Sequence, residues 1–410
     1  MILGKGNSAT TARKARPRSS KSNRAEVDRI LGIKRDRVRY FRSLEDIPEL
    51  SEDEKDELEP VARIYPFRSN DYYLSLIDWD DPNDPIKRIV IPCLDELDNG
   101  GTLDPSNEKS NYVAKGVQHK YSPTALFLVS KVCGGICRFC FRKRLFAASR
   151  KEASLDISEG LEYIGQHDEI DNVLLSGGDP LILSTKRLER ILASFRRIPH
   201  VKTIRIGTKM PAHNPYRIIR DPMLLRVLSE HSNPQRRIYI MTQFNHPREL
   251  TPQAVRAIAL LQDSGVLLAN QTPLIRGVND DPDVISELFN RLSHSGVTPY
   301  YLFQCRPTRG NRCFSVPMVE GYGIFEEAKR TMSGLAKRAR YVMSHTTGKV
   351  EILGLDEDSI YLKYHQARDP EDVGGFFSAP RAEDALWLDD LELEELGTSG
   401  EVQQLAEMES

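Results

Sequence analysis

Three cysteines carry the strongest chemical signal in this chain. Cys133, Cys137 and Cys140 fall within eight residues, as Cys133-Gly-Gly-Ile-Cys137-Arg-Phe-Cys140, on a glycine-bearing loop that follows an apolar run. A structural zinc site wants four ligands, usually as two CxxC pairs, and no second pair exists here. Three thiolates on a tight loop suit three corners of a [4Fe-4S] cube, which leaves the fourth iron free to bind something other than protein. A protein that only carries electrons would normally supply four cysteines per cluster.

Other segments hold groups of the right type. In Ser176-Gly177-Gly178-Asp179-Pro180 the paired glycines let backbone approach a ligand closely and Asp179 adds a carboxylate, although such a string is more often only a turn. Arg205, Asn245, His246, Asn270 and Gln271 stand in or just after further apolar runs. A lone histidine or asparagine there is usually a satisfied polar group. Lys349, in His345-Thr346-Thr347-Gly348-Lys349-Val350, reads by itself as a solvated lysine on a glycine-bearing loop. In the run Arg142, Lys143, Arg144 at least one residue is a plain surface charge.

The elements that must position these groups repeat one pattern, an apolar β-rich run, a polar loop and a helix-period segment. Six runs stand out: 125–129, 172–175, 201–206, 237–241, 266–270 and 298–303. Helical patterns lie between them at 184–197, 222–230, 252–264 and 282–295, several opening at Ser, Asp or Thr. The fold class is therefore α/β, a parallel sheet curling into a partial (β/α)6 barrel with helices outside. Ligands of such barrels sit at the C-terminal strand ends, where the cysteine and glycine segments fall.

The organisation read from these patterns is a disordered basic tail over 1–25, an N-terminal helical extension over 26–120, the barrel over 121–350 and a C-terminal extension over 351–410 ending in an acidic tail. Apolar residues at 40%, charged residues at 28% and a net charge of -2 give no global pull toward nucleic acid or anionic membrane. No apolar stretch approaches the ~20 residues of a membrane helix, so a cytoplasmic protein is expected.

The cysteine triplet is the signature of the radical S-adenosylmethionine (SAM) superfamily, and longer strings narrow the resemblance. Tyr72-Tyr73-Leu74-Ser75-Leu76-Ile77-Asp78, Asp81-Pro82-Asn83-Asp84-Pro85, Arg197-Ile198-Pro199-His200-Val201, Thr242-Gln243-Phe244-Asn245-His246-Pro247 and Arg276-Gly277-Val278-Asn279-Asp280 resemble segments of the lysine 2,3-aminomutase family. The resemblance runs from about Tyr72 to Lys349.

It implies a [4Fe-4S] cluster on Cys133, Cys137 and Cys140, with SAM chelating the open iron and cleaved there to a 5'-deoxyadenosyl radical. SAM would lie against Ser176, Gly177, Gly178, Asp179, His246 and Gln271. Lys349 occupies the place of the lysine that holds pyridoxal 5'-phosphate (PLP) as an internal aldimine, and Arg142 that of the arginine gripping the substrate carboxylate. This chain departs from the family pattern at Gln243, usually histidine, at Lys120 and Thr124, where PLP-phosphate arginines are expected, and at Gly348, where a longer glycine run is reduced to one. No cysteine follows Cys313, so no C-terminal zinc is expected.

The implied function is a PLP-dependent amino acid 2,3-aminomutase, an isomerase acting on a small amino acid. It would take electrons from a donor such as flavodoxin or ferredoxin; homo-oligomerisation stays open. Members acting on lysine read its distant ammonium with two aspartates, and the matching positions here are Arg306 and Val342. The substrate is accordingly expected to be a glutamate-like or neutral amino acid rather than lysine, with Arg306 as a substrate contact. The alternatives are lysine 2,3-aminomutase itself, another radical reaction on an amino acid, and a cluster-bearing electron carrier.

Overall fold

A computed structural model describes residues 38–146, 154 and 156–393. The chain divides into two units, Met1–Val38 and Arg39–Ser410, and the description concerns the second. The basic tail expected over 1–25 and the acidic residues from Glu394 onward lie outside the described residues.

Fourteen strands are described, β1 (Tyr40–Phe41), β2 (Ser69–Asn70), β3 (Tyr112–Ala114), β4 (Val117–Tyr121), β5 (Thr124–Ser130), β6 (Asn172–Gly177), β7 (Thr203–Thr208), β8 (Ile238–Thr242), β9 (Leu267–Pro273), β10 (Thr298–Phe303), β11 (Arg340–Ser344), β12 (Gly348–Leu355), β13 (Ser359–Ala367) and β14 (Phe376–Pro380). Strands β3 to β14 form one sheet in which every strand lies beside its sequence neighbours. From β5 to β11 the pairings are parallel, and at both flanks they turn antiparallel. The six expected strands are β5 to β10, with ends shifted by up to three residues. The sheet adds a seventh parallel strand, β11, and stays open, with β3 and β14 at its two edges.

The crossover helices form where the sequence supplies both an apolar stripe and a start signal. The helices Pro222–His231, Pro252–Asp263 and Pro282–His294 each carry proline in the first turn behind Asp221, Thr251 or Asp281, whose side chains accept the orphan N–H groups. Their buried faces, Leu224, Val227 and Leu228, then Ala254, Ile258 and Leu261, then Leu288 and Leu292, join the outward residues of the strands in one core. Breaking a cap of this kind costs about 1 kcal/mol.

The N-terminal segment contributes one long helix, Glu52–Ile64, the short helices Asp71–Leu74 and Pro85–Val90, and the ribbon β1–β2. Its apolar residues, Phe41, Ile47, Tyr73, Ile86 and Ile89, build a second core that includes Phe139, Cys305 and Phe314. This layer therefore packs on the cysteine loop and on the segment after β10. The opening of the sheet is stitched from the other side, where the Ser106 hydroxyl donates to the Ser344 carbonyl at 2.6 Å and the Lys120 amine donates to the His345 carbonyl.

Candidate active site

The cysteine loop leaves β5 at Ser130 and is fixed by its neighbours. The amides of Gly178 and Asp179 donate to the carbonyls of Ser130 and Val132, both at 2.8 Å, so the glycine turn after β6 pins the residues just before Cys133. A Cβ at Gly178 would stand 2.4 Å from the Val132 oxygen, which makes glycine obligatory at this approach. Further along, Ile136 N–H donates to the Arg68 carbonyl and Arg138 N–H to that of Ile89, both at 2.9 Å. The buried Arg138 guanidinium grips Glu96 through two bonds of 2.8 and 2.9 Å, and Lys143 reaches the same carboxylate at 3.1 Å.

Cys133, Cys137 and Cys140 all line one cavity of about 340 Å³ at the C-terminal ends of the parallel strands. Burial raises all three thiols above their ordinary range, that of Cys137 to about 12 even though the Lys209 ammonium pulls it down. Iron cations would reverse that penalty, because binding replaces the proton with a larger positive charge. Among the described residues no three His, Cys, Asp or Glu groups converge on one point as ligands of a single ion. Thiolates serving a cube need not converge, since each meets a different iron.

Of the glycine turn, Ser176, Gly177, Gly178 and Asp179 all line the same cavity. The Asp179 carboxylate, however, is already committed. Its oxygens accept from the Thr208 hydroxyl at 2.7 and 2.9 Å, from Lys209 N–H at 2.8 Å and from Leu181 N–H at 2.9 Å. Burial raises this group to about 6 against the pull of those bonds. The turn thus offers the cavity its backbone and the Ser176 hydroxyl, while Asp179 braces β7 against β6.

On the same wall sits a group that the sequence reading missed. The buried Glu108 carboxylate takes two bonds from Arg142, 3.0 and 3.2 Å, one from Arg144 at 2.5 Å, and an approach from Arg306 at 3.5 Å. Two donors meet each oxygen, which fills the carboxylate. The three guanidinium groups hold its pKa well below the usual carboxylate range against the cost of burial. Arg142 also donates to the Ser176 hydroxyl at 2.7 Å. The Arg306 guanidinium carbon lies over the Phe141 ring, 3.8 Å from its centre, and the residue borders the cavity. Nothing in the local sequence marks Glu108, which precedes the barrel and meets the arginines only through the fold.

Lys349 is the second residue of β12 rather than a loop residue, and Gly348 before it is needed because a Cβ there would stand 2.3 Å from the Gln366 carbonyl of β13. The Lys349 amine donates to Gln366 Oε1 at 2.9 Å and lies 5.0 and 5.5 Å from the ring centres of Tyr301 and Tyr121. Burial, then the Arg205, Lys120 and Arg306 charges, lower it to about 7. An amine so placed is about half free base at neutrality, and the free base is the form that condenses with a carbonyl. Lys120 and Thr124 line the cavity as well, and burial lowers the Lys120 amine to about 7.

The remaining expected residues divide. Gln243 and Gln271 line the cavity; His246 does not. Its ring caps the turn Pro247–Glu249 by accepting from Arg248 N–H at 3.2 Å. Buried Asn270 ties β9 to β8 by accepting from the Thr242 hydroxyl at 2.9 Å and from Phe244 N–H at 2.8 Å. Both are framework residues here.

The donors present fit the groups the sequence calls for. Three thiols and a neutral-leaning amine share one cavity, and the wall holds buried polar atoms without a protein partner, Asn111 Oδ1, Gln118 Nε2 and His213 Nε2. Such atoms are costly unless a ligand or water meets them.

Comparison with known proteins agrees with this geometry. Residues 127–288 match the family model of the radical SAM superfamily. A protein of Aquifex aeolicus named "Putative L-lysine 2,3-aminomutase" is 52% identical over 86% of this chain and 95% of its own length. The L-lysine 2,3-aminomutase of Clostridium subterminale is 36% identical over 73% of this chain and 71% of its own. The glutamate 2,3-aminomutase of Clostridioides difficile is 35% identical over 73% and 70%.

Proposed function

Because this chain belongs to the lysine 2,3-aminomutase family of radical SAM enzymes, we propose that it moves the α-amino group of an acidic or neutral amino acid, rather than of lysine, to the β-carbon. It is an isomerase whose cofactors are a [4Fe-4S] cluster, SAM and PLP. With SAM and the cluster supplying a carbon radical and PLP a carbonyl that condenses with amines, the protein's work is positioning.

In this reading Cys133, Cys137 and Cys140 hold the iron, and the backbone of Ser176 to Gly178 with Gln271 borders SAM. Lys349 provides the free amine that carries PLP. Arg306 faces a substrate carboxylate, and Arg142, held by Glu108, meets one where its Ser176 contact gives way. The N-terminal layer, packed over the cysteine loop through Phe139, keeps water from the reacting carbons. An electron donor such as flavodoxin or ferredoxin and a cytoplasmic setting belong to the same reading.

The substrate class rests on one observation: both acids that line the cavity among the described residues, Glu108 and Asp179, are saturated by protein donors. Glu351, the next carboxylate along β12, lies off the cavity wall and is bound by Arg340 at 2.6 Å. Among the described residues no carboxylate remains on that wall for a distal ammonium, while Arg306 contributes a cation. A buried ammonium facing it would be penalised on the order of several kcal/mol.

Anaerobic reconstitution with iron, sulfide and PLP, followed by amino acid screening with SAM and dithionite, tests the proposal. Turnover of glutamate or a neutral amino acid to its β-isomer is the expected result. Robust conversion of L-lysine alone would establish a lysine enzyme, and failure to cleave SAM would reduce the protein to an electron carrier.

A further inference from the structure

Alternation along β7 sends Ile204 and Ile206 outward into the core under the helices and Arg205 into the barrel. The Arg205 guanidinium donates through Nε to Asn172 Oδ1 at 2.9 Å, and no carboxylate pairs with it among the described residues. It lines the cavity that also holds Lys349 and is the charge acting most strongly on that amine.

The other groups facing this corner are Lys120 and Tyr121 from β4, Tyr300 and Tyr301 from β10, Arg306 from the following segment and His365 from β13. All are cationic or neutral. The carboxylates on the wall, Glu108 and Asp179, are filled by other donors, and Glu351 belongs to Arg340.

PLP enzymes that generate carbanions use the ring as an electron sink, which works best with its nitrogen protonated beside a carboxylate. A migration initiated by a carbon radical needs no such withdrawal. A protonated ring here would add one more cation to a corner already holding Arg205, Lys120 and Arg306. We propose that Arg205 keeps the pyridine nitrogen of PLP unprotonated in this enzyme, which steers the cofactor away from two-electron chemistry. The inference rests on Lys349 as the PLP lysine. Arg205 acts through its charge and is a positioning residue.

The test uses the PLP-loaded protein with nitrogen-15 in the cofactor ring, read by NMR across neutral pH. Wild type and Arg205→Lys should both show the unprotonated ring, and Arg205→Glu the protonated one. Arg205→Gln, which decides the matter if the Glu variant does not load PLP, should raise the proton affinity of the ring about tenfold, one pKa unit. A protonated ring in wild type, or a ring unchanged in the Glu and Gln variants, overturns the proposal. Borohydride trapping of the same samples separates the two readings, since a pyridoxyl label absent from Lys349 removes the premise rather than the role of Arg205.

Discussion

Glu108 and Arg142, 34 residues apart in sequence, meet through two hydrogen bonds of 3.0 and 3.2 Å inside the cavity wall. Removing one partner of a buried pair leaves the other charge uncompensated, which costs about 3–5 kcal/mol. Glu108→Ala should therefore lower the thermal midpoint by many degrees, more than Arg306→Ala, whose guanidinium stands farther from the carboxylate. The folded carboxyl is depressed, so its stabilising contribution is present above the ordinary carboxylate pKa and lost as pH falls through the lower folded value. Calorimetry of the variants from neutral to acid pH checks both statements.

Replacement of Cys133, Cys137 or Cys140 by Ala should abolish cluster absorbance and SAM cleavage, while Cys93→Ala and Cys313→Ala leave both intact. Cys305 is the stringent control because it also borders the cavity. Loss of the cluster in Cys305→Ala would mean that the ligand set is not the triplet.

Gly178→Ala places a methyl 2.4 Å from the Val132 carbonyl and must push the cysteine loop away from β6. Iron and sulfide content after reconstitution should fall severalfold, a local displacement rather than unfolding. Circular dichroism should stay close to that of wild type; a global loss of structure would contradict the local account.

Borohydride reduction should place the pyridoxyl label on Lys349. Because the folded amine is lowered to about 7, adduct formation should be fast above that pH and fall about tenfold for each unit below it. Stopped-flow absorbance of PLP binding across pH measures the profile. A midpoint near 10 would show an ordinary exposed lysine.

Arg306→Asp should shift selectivity toward substrates with a distal ammonium and lower kcat/KM for a dicarboxylic amino acid by about a hundredfold, the effect of reversing one charge contact. Equal losses on all substrates would instead assign Arg306 to the framework around Glu108.

How much of this was legible in the sequence depended on whether the signal was local. Strands β5 to β10 show in their apolar runs and the helices in their Asp, Ser or Thr starts, because periodicity and capping are properties of neighbouring residues. The cysteine loop and the glycine turn were legible for the same reason. Strand β11 was not, although Tyr341-Val342-Met343 is itself a short apolar run, because its place between β10 and β12 is a matter of pairing. Lys349 looked like a loop lysine because the bulged pairing of β12 with β13 is set by distant residues. Glu108 and the commitment of Asp179 are products of the fold alone. His246 was legible as a polar group at a strand end, but whether such a ring faces the cavity or its own backbone is decided by the turn.

The seam between β4 and the β11–β12 hairpin is spanned by side chains rather than by strand pairing. The thiol loop and the glycine turn hang on β5 and β6, while Lys349 comes from a hairpin that is tied to them along the sheet by β7 to β11 and across the opening by contacts such as Ser106 with Ser344. Of the departures from the family pattern, Lys120, Thr124, Arg306, Val342 and the single Gly348 fall on or beside the strands nearest the seam, and Gln243 alone lies elsewhere. The amine on β12 and the thiol loop after β5 are thus held against each other both along the sheet and across the seam, so a change at Ser106 or Lys120 would move one relative to the other.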